Sequence, residues 1–234
     1  MSEQLVVEAV RRHLDEIASF VNWALVLALP IVWMAVRRKQ TYEVLKIEFT
    51  AKQAYCIVTV LFLVINLVVV VLFFRLRDLL ASVPERKVAD VVTVLVSHQW
   101  VLNPFSHVSV GGLGWLYGIG GFFGLMIVWS ICFASIVLIQ IVIGEDSRVA
   151  WLLRVLFGVL GLSTAAVIQG IYVTALDRTA GVSPELNSAL AAVSNSRYAI
   201  FVLGILMGAA VVVGALILQL WIGSVKTTNR DGEI

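Results

Sequence analysis

VVTVLVSHQWVLNPFSHVSVGGLGWLYGIGGFFGLMIVWSICFASIVLIQIVIG, Val91 to Gly144, runs for 54 residues without an Asp, Glu, Lys or Arg. An α-helix rises ~1.5 Å per residue and the hydrocarbon of a bilayer is ~30 Å thick, so about 20 apolar residues make one crossing. Four more uncharged runs are that long: Ile17 to Val36, Gln53 to Phe74, Val155 to Leu176 and Tyr198 to Val225. The pattern predicts an all-α, polytopic bundle of five transmembrane helices, a single integral membrane domain over residues 1–234. Its spans fall at 17–36, 53–74, 113–143, 151–176 and 198–225.

Composition agrees. The chain is 60% hydrophobic and 14% charged, with a mean hydropathy of +0.98, whereas soluble domains are about 25% charged. The residues left over form short connections and tails, none large enough to bury a separate core. Cys56 and Cys132 both fall in apolar runs and read as small packing residues. A net charge of +2 spread along the chain gives no case for nucleic acid. The segment from Met1 to Ser19 carries Glu3, Glu8, Asp15 and Glu16 against Arg11 and Arg12, which is not the basic start of a cleaved signal peptide. A bacterial cytoplasmic (inner) membrane is the simplest location.

Between the spans, the residues suggest local structure. Leu5, Val6, Ala9, Val10, Leu14 and Ile17 recur at three- and four-residue spacing, predicting an amphipathic N-terminal helix, lying on the surface or running into the first span. Asn22 and Pro30 interrupt that span, and Pro30 removes one backbone hydrogen bond. Trp23 and Trp33 sit toward its ends as an aromatic belt would place them. Thr41 to Thr50 reads as a short polar connection or a surface helix. The second span is expected to stop at Arg75, Arg77 and Asp78. Pro84, Glu85, Arg86 and Lys87 look like a helix start. At ~22 Å, Val88 to Leu102 is too short to cross, so it reads as an interfacial helix, with a re-entrant half-helix as the alternative, followed by a polar, flexible stretch from Asn103 to Gly112. Ser183, Pro184 and Glu185 mark another helix start.

Small residues four apart let helices approach closely. Gly114 with Gly118 and Gly120 with Gly124 open the third span, and Gly204, Gly208 and Gly214 run along the fifth. These are the helix-packing candidates. Asn66, Gln140, Ser163, Thr164 and Gln169 are neutral polar groups inside spans, suited either to interhelical bonds or to lining a polar path. A pore would add Thr59, Ser130 and Ser135 to that path.

Orientation follows from the basic residues. With the first connection cytoplasmic, Arg37, Arg38, Lys39, Lys46, Lys52, Arg148, Arg154, Lys226 and Arg230 lie inside, nine of the 17, so the total barely discriminates. Arg37, Arg38 and Lys39 abut the first span opposite a net-acidic N-terminus, which favours N-terminus outside and C-terminus cytoplasmic.

Chemistry is hard to find. Proton and ion relays use ionisable side chains within spans, and the five runs contain only His98 and His107, both in the stretch assigned outside. Ser163 has no histidine in any span to activate it. The two histidines do not make a zinc set, and no span offers a haem ligand. The residues therefore point away from an enzyme, with neither cofactor nor metal expected. The first reading is a non-catalytic subunit or scaffold of a membrane complex or homo-oligomer, with a pore-forming version, its partners being the lipid bilayer and copies of itself or other membrane subunits. The alternative is a carrier for a small uncharged or amphipathic solute, moving at Pro30 and the glycine-rich third span. Five spans cannot divide into equal inverted halves, which weakens the carrier.

Overall fold

The structure is a computed structural model that describes residues 3–37, 41–44, 47–98, 103–105, 124–137, 148–184, 186–188 and 190–191. Those residues are almost entirely helical. Helix α1 is Glu3–Arg37, α2 is Ala51–Ser82 and α3 is Glu85–Ser97. Gly124–Val137 forms α4, and Arg148–Thr179 forms α5. The fifth span, His107, and the site candidates Gly114, Gly118, Gly120, Gln140, Gly204, Gly208 and Gly214 lie outside the described residues.

Among the described residues three helices, α1, α2 and α5, are long and apolar enough to cross a membrane. Their charges agree on where. The uncharged stretches between Glu16 and Arg37, Lys52 and Arg75, and Arg154 and Asp177 hold 20, 22 and 22 residues, or ~30 to 33 Å of helix, the thickness of the hydrocarbon. The outward faces along these stretches are mostly apolar. Leu29 is 70% exposed and Leu162 60%, the reverse of a soluble helix and the arrangement lipid requires.

Helix α2 is the spine. Its buried residues Tyr55, Thr59, Phe62, Asn66, Val69, Phe73, Leu76 and Leu80 alternate steps of four and three, the seam that left-handed helix packing needs. Against it α1 sets Val10, Leu14, Ile17 and Val21, and α5 sets Val167, Ile168 and Ile171, in one apolar core. Ala28, Ile31, Tyr55, Phe62, Cys132 and Phe157 form a second core.

Four sequence expectations need correction. The Thr41 to Thr50 stretch is a short connection but not a surface helix: it holds two paired antiparallel strands, β1 (Thr41–Val44) and β2 (Ile47–Thr50), pairing Thr41 with Thr50 and Val44 with Ile47. The strands are rich in β-branched and aromatic residues, which outweigh the charges between them. Thr50 ends β2 and caps α2 through a capping box with Gln53.

The second correction concerns α2, which does not stop at Arg75 but runs through Arg75, Arg77 and Asp78 to Ser82. Those charges end the uncharged run and not the helix. Third, α3 starts at Glu85, behind Pro84, and ends at Ser97 rather than Leu102. It buries Val88, Val91, Val92, Leu95 and Val96 in the core that holds Val6, Val10 and Leu14 of α1 and Leu76 and Leu80 of α2, while Glu85, Arg86, Asp90 and Thr93 are exposed. Fourth, residues 103–105 are not a loose polar stretch: Asn103 and Phe105 are buried.

The lead-in segment and the first span are one continuous helix with Pro30 inside it. Beyond Thr179 the chain turns, Val182 and Ser183 donating to Thr179 O at 3.1 Å. Residues 184, 186–188 and 190–191 are helical, and Asn187 Nδ2 donates back to Leu176 O at 2.8 Å.

Candidate functional site

Asn66 sits halfway along the α2 seam, 7% exposed. Its Nδ2 donates to Phe62 O on its own helix at 2.8 Å. Opposite it on α5, Thr164 Oγ1 donates to Leu160 O, again its own helix, at 2.8 Å. Both side chains border a cavity of about 40 Å³ whose apolar walls include Val21, Phe73, Leu125 and Trp129. Such a space holds about one or two waters and no organic solute. The structure thus brings together two of the sequence candidates. Ser163 and Gln169 are half-buried on the same helix as Thr164 and do not border the cavity. Of the proposed path residues, Thr59 and Ser135 are buried and Ser130 is half-buried. Gly124 is half-buried at the start of α4.

Below the cavity lies an aromatic cluster. Trp129 of α4 is 4.4 Å from Phe157 of α5 between ring centroids, Phe62 stacks on Phe157 at 5.4 Å, and Phe133 is 5.8 Å from Phe157. Gly161 makes room for it: a Cβ there would lie 2.9 Å from Trp129 Cδ1. The contact of α4 with α5 therefore uses a glycine outside the helix-packing candidates, although Ala165 stands four residues on and makes the same small-residue spacing.

Above the cavity Phe105 wedges between helices. It is edge-on to Phe73 of α2 at 6.3 Å and 5.2 Å from Tyr172 of α5. Asn103 holds the wedge in place, its Oδ1 accepting from Phe105 N at 2.8 Å and its Nδ2 donating to His98 O at 2.8 Å. Tyr172 Oη donates to Pro104 O. An Asn-Pro pair signals a turn, but nothing in the sequence shows that this turn folds back into the bundle.

Several titratable side chains find partners at the same end. His98 Nε2 lies 3.0 Å from Asp15 Oδ1, joining the end of α3 to α1. His13 Nε2 donates to Leu72 O on α2 at 2.9 Å, and its Nδ1 is 3.7 Å from Glu16. Arg178 donates to Val83 O, so a cation from α5 meets the carbonyl end of α2, where the helix dipole favours it. Among the described residues no three His, Cys, Asp or Glu side chains come together as a metal site. This end is tied together by single pairs, while the apolar seam carries the packing. No protein-family model, curated protein or solved structure matches the chain.

Proposed function

We propose that this chain is a non-catalytic integral membrane protein of five spans, a helix-packing subunit or scaffold of a membrane complex or homo-oligomer. The observation that carries the reading is what Asn66 and Thr164 do. At mid-depth, where a transporter would present polar groups to its solute, both turn back on the carbonyls of their own helices. The space they border, about 40 Å³, is far below the ~300 Å³ at which small-molecule sites begin. The closed aromatic cluster below and the Phe105 wedge above support the same conclusion. The N-terminal third of α1, the last turns of α2, and α3 form a cap outside the hydrocarbon. The charge pattern favours that cap on the outer face of a bacterial inner membrane, with the C-terminus in the cytoplasm.

Gentle detergent extraction followed by mass measurement of the intact particle tests this. A homo-oligomer, or a particle with co-purifying membrane chains, is expected. A lone monomer would contradict the reading and favour the carrier.

A further inference from the structure

The cavity at the middle of the bundle is bordered by hydrogen-bonding capacity that the protein leaves unused. Asn66 of α2 and Thr164 of α5 line it together with Val21 of α1 and Leu125 and Trp129 of α4. An amide side chain offers two N–H donors and an oxygen with two lone pairs, and a hydroxyl offers one donor and two lone pairs. Among the described residues each group makes a single hydrogen bond, Asn66 Nδ2 to Phe62 O and Thr164 Oγ1 to Leu160 O. Both bonds stay within one helix. What remains is one amide hydrogen and two acceptors, Asn66 Oδ1 and the lone pairs of Thr164 Oγ1. Both residues are 7% exposed, and Asn66 stands nine residues from Arg75 and 14 from Lys52, ~13 Å or more along α2 from either charge. Neither side chain is long enough to reach bulk water.

We infer that this cavity is a binding site for water, with one molecule donating to Asn66 Oδ1 and to Thr164 Oγ1 and so joining α2 to α5 in the middle of the bundle. Chemistry and size both select water. Two acceptors cannot bond each other and need a donor between them, and water is the smallest molecule with two hydrogens to give. The space, about 40 Å³, exceeds the ~10–15 Å³ that one water needs. A metal cation such as calcium or magnesium would require about six oxygens, and the side chains of this wall supply two. Cavities that stay dry are lined by apolar groups alone, which Asn66 and Thr164 rule out here. The inference does not rest on the assembly reading, because the site lies within one chain.

Radiolytic hydroxyl labelling of the full chain in lipid nanodiscs tests the site, since radicals formed in place oxidise the side chains beside a bound water. Phe62 and Phe73 border the cavity, whereas Phe157, equally buried, does not. In the wild type Phe62 and Phe73 should be oxidised several-fold faster than Phe157. Thr164→Val keeps the shape and removes the hydroxyl, and should lower both rates to that of Phe157. Thr164→Ser keeps the hydroxyl and should leave them fast. Asn66→Leu should lower them as Thr164→Val does, and the two Thr164 variants decide the matter alone if Asn66→Leu does not fold. Equal rates at all three phenylalanines in the wild type would mean a dry cavity and overturn the inference. Fast oxidation that survives Thr164→Val, or that is lost equally in Thr164→Ser, would overturn the bridge between these two side chains.

Discussion

The indole of Trp129 lies across Gly161, close enough that a single added carbon on the glycine would meet it at Cδ1 at 2.9 Å. The α4 side chain rests there against the α5 backbone, and the ring then reaches Phe157 at 4.4 Å between centroids. Gly161→Val should therefore push α4 from α5 and cost about 1 to 3 kcal/mol, read as a lowered thermal midpoint in detergent. Gly158, one turn away, has open space where a Cβ would go. Gly158→Ala should be neutral or slightly stabilising, since alanine is the better helix former by up to ~1 kcal/mol. Equal effects at the two positions would refute the packing argument.

Phe105 is fully buried between Phe73 and Tyr172. Truncating a buried phenylalanine to alanine typically costs ~3 to 5 kcal/mol. Phe105→Ala should cost that much and increase protease cleavage between α3 and α4. Tyr172→Phe removes only the hydroxyl that donates to Pro104 O, for a loss of about 1 kcal/mol. A Phe105→Ala protein as stable as the parent would mean that the segment does not occupy the bundle.

Asn66 bonds its own helix, and the carbonyl it meets belongs to a helix that satisfies its own backbone. Asn66→Leu should accordingly change stability by no more than ~1 kcal/mol and leave the particle mass unaltered. A loss of several kcal/mol would reveal an interhelical bond at this position.

The pair of His98 and Asp15 joins α3 to α1, yet the Asp15 side chain is 66% exposed. Pairs of that kind contribute ~0 to 1 kcal/mol, whereas Leu95 is buried in the core shared with α1. Hydrogen exchange along α3 should barely change in Asp15→Asn and rise steeply in Leu95→Ala, for which about 2 to 5 kcal/mol is expected. The opposite order would make the contact of His98 with Asp15, and not the apolar face, the anchor of α3.

Three of the expected spans are legible as helices long and apolar enough to cross a membrane, because an uncharged run of 20 or 22 residues has few other physical meanings. The same criterion failed at the ends. Arg75 and Asp78 end the uncharged run of α2 and not the helix, which continues past them because Leu76 and Leu80 still have α1 and α3 to pack on. The hairpin from Thr41 to Thr50 was hidden because eight strand residues with interspersed charges look like any polar connection. The contacts around the cavity were the least legible. Asn66 and Thr164 announced themselves as polar residues in apolar runs, but Gly161 and Phe105 matter only through Trp129, Phe73 and Tyr172, which are remote in the chain or on another helix.

The layout in which α1, α2 and α5 cross together, with the start of α1, the end of α2 and α3 on one side, is tested most directly by labelling single cysteines with a membrane-impermeant thiol reagent. The cysteines would be placed at Glu8, Asp78 and Asp90 at one end and at Lys52 and Arg148 at the other, in right-side-out and inverted vesicles. The account predicts that the first three label from one side and the last two only from the opposite side. Labelling of Asp78 and Lys52 from the same side would contradict it, because the two ends of α2 could not then be separated by a bilayer.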